Sequence, residues 1–227
     1  MKIGILQTGL VPDGLAAEHG QYPGMFERLL ADQGFTFQSW SVVEGEFPNG
    51  PDDADAWLIT GSRHGAYEEH DWIPPLEDLI RAIHTSGKRM VGICFGHQII
   101  AQALGGTVAK YEGGWAVGAH TYDFADGPRT INAWHQDQVI DKPEEARVVA
   151  TNPFCANAAL LYGDSIYTVQ AHPEFDDAFT EGLIDQRGRG VVPDALLEGA
   201  RAKIGTPLAT GEMSDQIAEF LKTGKLT

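Results

Sequence analysis

Apolar and polar positions alternate in two rhythms along the first half of the chain. Ile3 to Leu6 is a short apolar run of strand length. Tyr22, Met25, Phe26, Leu29 and Leu30 then recur at three- and four-residue spacing, and Gly34 closes that helix. Phe35 to Val43 is rich in β-formers and predicts a strand, as does Ala56 to Thr60, which ends at Gly61. Ile73, Leu76, Leu79, Ile80 and Ile83 form a helical stripe stopped at Gly87. Arg89 to Ile93 predicts a short buried strand, followed by a helix through Ile99, Ile100 and Leu104 to Gly105-Gly106. Strands alternating with helices predict parallel βαβ units, a three-layer α/β fold with helices on both faces of a mostly parallel sheet.

After Gly106 the rhythm changes. Thr107–Tyr111, Gly118–Phe124, Arg147–Thr151 and Ser165–Gln170 are strand-like with few helices between them, which predicts a small antiparallel addition. From Asp177 helical patterns return, broken at Arg187-Gly188-Arg189-Gly190 and ending in an amphipathic helix near Ile217, Phe220 and Leu221. There is no internal repeat and no clear linker. The expected organisation is one α/β domain over residues 1–180 and a helical tail over 181–227 packed on it.

Charge narrows the field of partners. The 227 residues carry 16 Lys+Arg against 32 Asp+Glu, a net charge of −16, so nucleic acid is not expected as a partner. No run approaches the roughly 18 apolar residues of a membrane helix, and the start Met1-Lys2-Ile3-Gly4-Ile5 reads as a first strand, not a signal peptide. Two cysteines, Cys94 and Cys155, are too few for a disulfide scaffold, so a reducing cytoplasm is the expected compartment.

The two thiols differ in context. Val91-Gly92-Ile93-Cys94-Phe95-Gly96-His97-Gln98 runs a buried strand into Gly-x-Cys-x-Gly and then directly into a helix pattern. This has the form of a nucleophile elbow with cysteine in place of serine. A side chain at Gly92 or Gly96 would crowd the tight strand-to-helix turn. The turn lifts the thiol above the carboxyl end of the strand, where open α/β sheets bind ligands. The helix start offers unpaired N–H groups and partial positive charge to an anion, and the Phe95 N–H is aimed at a developing oxyanion. Cys155, in Asn152-Pro153-Phe154-Cys155-Ala156, has no such turn and reads as packing.

A cysteine nucleophile needs a base and a group to orient that base. His172 stands at the carboxyl end of the apolar stretch Tyr167-Thr168-Val169-Gln170-Ala171, with Glu174 two residues on along an extended segment stiffened by Pro173. A carboxylate on one imidazole nitrogen fixes the tautomer and leaves the other nitrogen for the thiol.

Gly92-Ile93-Cys94-Phe95-Gly96-His97-Gln98 with His172-Pro173-Glu174 resembles the class I (triad) glutamine amidotransferase domain, in order and spacing from residue 1 to roughly 180. Leu58-Ile59-Thr60-Gly61-Ser62 resembles the family's turn that supplies the second oxyanion N–H. Ala103-Leu104-Gly105-Gly106 and Gly113-Gly114-Trp115 to Gly118 resemble its stretch beyond the nucleophile helix. His135-Gln136-Asp137-Gln138-Val139 resembles the family's His-Gly-Asp-x-Val, with Gln136 where glycine is usual; Gly61-Ser62-Arg63-His64-Gly65 likewise stands in place of a double glycine. The resemblance implies Cys94 as nucleophile, His172 as acid and base, Glu174 as its orienting group, and Gly61 and Phe95 as oxyanion donors. It places Ser62, Gln98, Trp134, His135 and Gln136 around a small γ-glutamyl substrate. It implies a thioester intermediate and neither metal nor organic cofactor.

Glu44-Gly45-Glu46-Phe47-Pro48 with residues 92–99 also resembles plant-type γ-glutamyl peptidases of the same superfamily. No nucleotide-binding loop follows His172, so the expectation is a stand-alone γ-glutamyl amidase with water as acceptor. The alternatives are a glutaminase subunit serving a separate synthase or associating with further copies of itself, and a non-catalytic binding module of the same fold. Glu68, Glu69, His70 and Asp71 are consecutive and cannot all face one ion, so they read as a solvated acidic turn capping the helix that starts near Trp72; no metal site is expected. His97, inside the elbow helix, reads as a packing or hydrogen-bonding residue.

Overall fold

The computed structural model describes residues 1–226. Its first half is the expected alternation: β1 (Lys2–Leu6), α1 (Asp13–His19), α2 (Tyr22–Leu29), β2 (Thr36–Trp40), β3 (Ala56–Ile59), α3 (Ile73–Thr85), β4 (Arg89–Ile93) and α4 (Phe95–Ala103). The second half holds β5 (Thr107–Lys110), β6 (Ala116–Phe124), β7 (Gly127–His135), β8 (Asp137–Asp141), β9 (Ala146–Thr151), β10 (Ala159–Tyr162) and β11 (Ile166–Val169). The helices α5 (Asp177–Leu183), α6 (Asp194–Arg201) and α7 (Thr210–Thr223) follow, with a π-helical turn over Ile184–Gly188.

Nine strands form one sheet in the order β2-β1-β3-β4-β11-β10-β9-β6-β7, and β5 pairs with β8 in a second, two-stranded sheet. The strands from β2 to β11 are parallel. From β11 onward the pairing is antiparallel, so the addition expected from the sequence continues the main sheet as well as forming the small one.

Period-two alternation distributes the core between the faces. Ile3, Ile5, Leu58, Val91 and Ile93 join Phe26 of α2 and Ile217, Phe220 and Leu221 of α7 on one side. Leu6, Trp57, Ile59 and Met90 face α3 and α4 on the other, against Leu76, Ile80, Ile83, Ile99 and Ile100. Each large side chain buried in this way contributes about 1.5–3 kcal/mol by leaving water. The amphipathic α7 is therefore part of the main core and covers the parallel strands.

Some sequence expectations shift. The strand expected over Phe35–Val43 stops at Trp40, because Val42–Glu44 turns as a single 3₁₀ turn ending at Gly45 (φ 85°). The strands β7, β8 and β10 and the helix α1 lie where no element was expected. The acidic run does not cap α3: the helix begins at Ile73 behind Trp72 with no side-chain cap, and Glu68 turns instead to His64 and His70. No helix among the described residues is long and apolar enough to cross a membrane.

Candidate active site

Three adjacent parallel strands, β3, β4 and β11, end at the same edge of the sheet. Gly61 follows β3, Cys94 follows β4, and His172 lies just beyond β11, so strand order alone gathers residues 61, 94 and 172. The Cys94 N–H donates to the Val169 carbonyl at 2.8 Å, tying the elbow to β11.

Cys94 has φ 54° and ψ −102°, and no other non-glycine residue among those described has positive φ. An L-residue is held there at a cost of about 1–3 kcal/mol, which the surrounding packing must impose. The glycines permit it. A methyl group on Gly92 would lie 2.5 Å from the Gly96 carbonyl oxygen, and one on Gly96 would collide with the Ile59 carbonyl.

His172 is fixed from three sides. Its backbone N–H donates to the Asn132 carbonyl on β7 at 2.8 Å, and its Nδ1 donates to Glu174 Oε1 at 2.7 Å. Its ring stacks on Phe175 at 3.9 Å with planes 5° apart. The segment is a turn, closed by Phe175 N–H to the His172 carbonyl at 3.3 Å, and not the extended stretch expected; the turn still brings the Glu174 carboxylate to the Nδ1 edge of the ring. With Nδ1 engaged, Nε2 is the nitrogen left for the Cys94 thiol. Burial opposes the charged imidazolium, but the charges of Cys94 and Glu174 and the ring's hydrogen bonds to both outweigh it and raise the His172 pKa to about 10. Both side chains are buried, that of Glu174 completely.

The Gly61 and Phe95 N–H groups make no hydrogen bond among the described residues. The peptide carrying the Gly61 N–H is fixed through the Thr60 carbonyl, which accepts from Thr8 Oγ1 at 2.9 Å and from the Gly96 N–H at 3.1 Å.

Residues 47–181 match the family model described as glutamine amidotransferase class-I. The chain belongs to that family. Gamma-glutamyl peptidase 4 of Arabidopsis thaliana is 33% identical to this family member over 184 residues, covering 74% of this chain and 73% of that protein. A GMP synthase (glutamine-hydrolyzing) of Pyrobaculum aerophilum is 28% identical over 162 residues, covering 68% of this chain and 31% of that protein. A glutamine amidotransferase structure from Thermotoga maritima shares the fold with a TM-score of 0.76 at 22% identity, covering 97% of this chain and 99% of that one.

In this amidotransferase-family chain a cavity of about 280 Å³ opens above Cys94, and Ser62, Gln98, Trp134, His135 and Gln136 all line it. His172 lines a smaller adjoining cavity with Ser62 and Trp134, while Glu174 lies behind the ring, outside both. Gln98 is buried and donates to the Asp137 carbonyl at 2.8 Å and to Gln170 Oε1 at 3.1 Å. Gln136 donates to the Tyr111 carbonyl at 3.4 Å, a contact that the glycine usual at this place cannot make. His135 donates from Nδ1 to the Asp137 carbonyl at 3.2 Å, and burial lowers its pKa to about 3.

His97 is fully buried, bonds Thr168 Oγ1 at 2.8 Å, and is likewise pushed down to about 3 by burial. It packs beneath the elbow and does not reach the cavity. Burial pushes the Cys155 thiol up to about 12, as suits a packing cysteine.

Sequence reading passed over Arg63, Lys110, Trp115 and Arg187, which also line the main cavity. They come from separate segments, and no local pattern links them. His64, Glu68 and His70 bring their ligand-type atoms within 4.8 Å of one another at the cavity rim, a set that suits a small divalent cation. As they stand, Glu68 Oε2 bonds His70 Nε2 at 2.8 Å and lies 3.4 Å from His64 Nδ1.

Proposed function

We propose that this chain cleaves γ-glutamyl amide bonds, with Cys94 as nucleophile, His172 as acid and base, and Glu174 as the group that orients the imidazole. The observation that carries this is the positive-φ elbow at Cys94 facing a His172–Glu174 pair. Family membership and the gamma-glutamyl peptidase relative support the same reaction class.

The chemistry closes on these side chains. The Cys94 thiolate attacks the γ-carbonyl carbon, and the electron pair displaced onto oxygen is held by the Gly61 and Phe95 N–H groups. When the carbonyl re-forms, the C–N bond breaks, and the leaving nitrogen takes the proton of His172 Nε2. A γ-glutamyl thioester remains on Cys94. Water then gives its proton to Nε2 and attacks the thioester, releasing glutamate and the thiolate. Ser62, Gln98, Trp134, His135 and Gln136 hold the glutamyl part. A reducing cytoplasm is the compartment we infer, since both cysteines are free and Cys94 acts only when reduced.

A second reading has the chain release ammonia from glutamine for a separate synthase. What favours it is the match to about a third of a GMP synthase. One experiment separates the readings. The purified chain is assayed on glutamine and on γ-glutamyl amines and peptides, with Cys94→Ala and Cys155→Ala beside it. Turnover of peptides or amines by the chain alone, lost in Cys94→Ala and kept in Cys155→Ala, is the expected result. Equal loss in both variants would refute the assignment of Cys94. Turnover of glutamine only, and only with an added synthase, would favour the second reading.

A further inference from the structure

The chain is acidic overall, yet cations surround its candidate active site. Elsewhere Arg81, Lys88, Arg129, Arg189 and Arg201 are engaged in ion pairs. Arg63, Lys110 and Arg187 line the main cavity with neither an ion pair nor a hydrogen bond among the described residues. The cavity's two carboxylates offset them only in part, the positive charge of Lys110 acting on Asp137. Asp137 is held by the Tyr67 hydroxyl at 3.2 Å, and Glu68 by His70 at 2.8 Å.

Arg187 is the most telling of the three. It is half-buried, and it lines both the main cavity and the smaller one against His172. It is carried by the π-helical turn Ile184–Gly188, an interruption that tends to occur at functional positions. The backbone there has no slack: a methyl on Gly188 would meet Leu197 at 2.5 Å and Trp134 at 3.3 Å. The turn thus presents Arg187 from the C-terminal segment to the cavity beside His172.

We propose that Arg187, with Arg63 and Lys110, forms a receptor for a carboxylate on the leaving-amine side of the substrate. The chain's preferred substrates are then γ-glutamyl peptides with a free terminal carboxylate, in preference to glutamine or uncharged γ-glutamyl amines. This rests on the γ-glutamyl reading above and narrows it. The γ-glutamyl group pairs its α-carboxylate with an α-ammonium and is neutral overall, so the one positive charge left over after Asp137 and Glu68 suits a second carboxylate. In a protein of net charge −16, a substrate with two carboxylates needs such local compensation to enter.

The test compares kcat/KM for γ-glutamylglycine and γ-glutamylmethylamide, which differ in the carboxylate of the leaving amine. The wild-type ratio is expected to exceed about tenfold at low salt, as one charge-assisted contact allows, and to shrink as NaCl is added. In Arg187→Gln the ratio should fall toward one, mainly through KM for the dipeptide. A ratio near one in the wild type would overturn the proposal. So would an equal loss on both substrates in Arg187→Gln, which would assign the arginine to the α-carboxylate. If the wild type cleaves neither compound, the catalytic reading fails; calorimetry of γ-glutamylglycine against Cys94→Ala then still tests the receptor. Binding that weakens about tenfold in the Cys94→Ala, Arg187→Gln double variant would support it, and binding that is absent or unchanged would overturn it.

Discussion

Replacing Gly61 by alanine isolates the fit between the oxyanion turn and the imidazole. Gly61 is not among the residues with positive φ, so alanine can adopt its backbone conformation. The added methyl would lie 2.8 Å from His172 Cε1 and 3.7 Å from Cys94 Cβ. Carbon atoms pack favourably only from about 3.5 Å, so ring and turn must separate by about 0.7 Å. The ring cannot yield freely, since Glu174 holds it at 2.7 Å and Phe175 lies 3.9 Å beneath it. The turn is held in its own right through the Thr60 carbonyl. Overpacking of this kind costs about 1–3 kcal/mol of stability, and a displacement approaching 1 Å at the reacting groups costs about a hundredfold in rate. The expected result is a fall of about that size in kcat/KM with a folded protein, read from steady-state kinetics beside urea melts. Alkylation of Cys94 by iodoacetamide should slow in parallel. A control, Gly199→Ala, places its methyl in open space on helix α6 and should stabilise by about 0.5–1 kcal/mol. Activity of Gly61→Ala within threefold of wild type would refute the geometry.

Further outcomes follow from other contacts. Glu174→Gln removes a charge that raises the His172 pKa, so the alkaline limb of the kcat/KM profile should move to lower pH, with kcat reduced at least about tenfold; an unmoved limb would argue against the coupling. His97 and His135 have folded pKa values lowered to about 3, so their stability contribution is complete above about pH 6.5 and is lost as pH falls toward 3. Between pH 7 and 5 that loss is about 2 kcal/mol for each residue, visible as lower urea midpoints at pH 5, and equal midpoints would contradict it. Asp176→Ala removes the side-chain oxygen that accepts the Phe179 N–H at 2.7 Å at the start of α5, and should cost about 1 kcal/mol in the same melts.

Much of the fold and the core of the candidate site were legible because their signals are local. Helical stripes and apolar runs gave the βαβ alternation, since burial on one face repeats every few residues. The elbow was readable from Gly92, Cys94 and Gly96, because a tight turn into a helix tolerates nothing larger at its flanks. The stretch from Gly127 to His135, with Pro128 near its start, did not announce itself as β7. Its identity depends on pairing with β6, and through that pairing it supplies the Asn132 carbonyl that holds His172. The four apolar residues of β10 were equally silent, as so short a run fits a strand or a buried helix turn.

By itself the sequence singled out the candidates for chemistry: one cysteine in a tight turn, one histidine with a carboxylate two positions on, and an acidic net charge. The tertiary structure decided which distant residues meet. Strand order set Gly61, Cys94 and His172 side by side, and the turn after His172 carried Glu174 to the Nδ1 edge of its ring. The same packing brought Arg63, Lys110 and Arg187 to one cavity from segments more than forty residues apart. Backbone periodicity is written in neighbouring residues, whereas an unpaired cation becomes informative only once the space it faces and the partners it lacks are known.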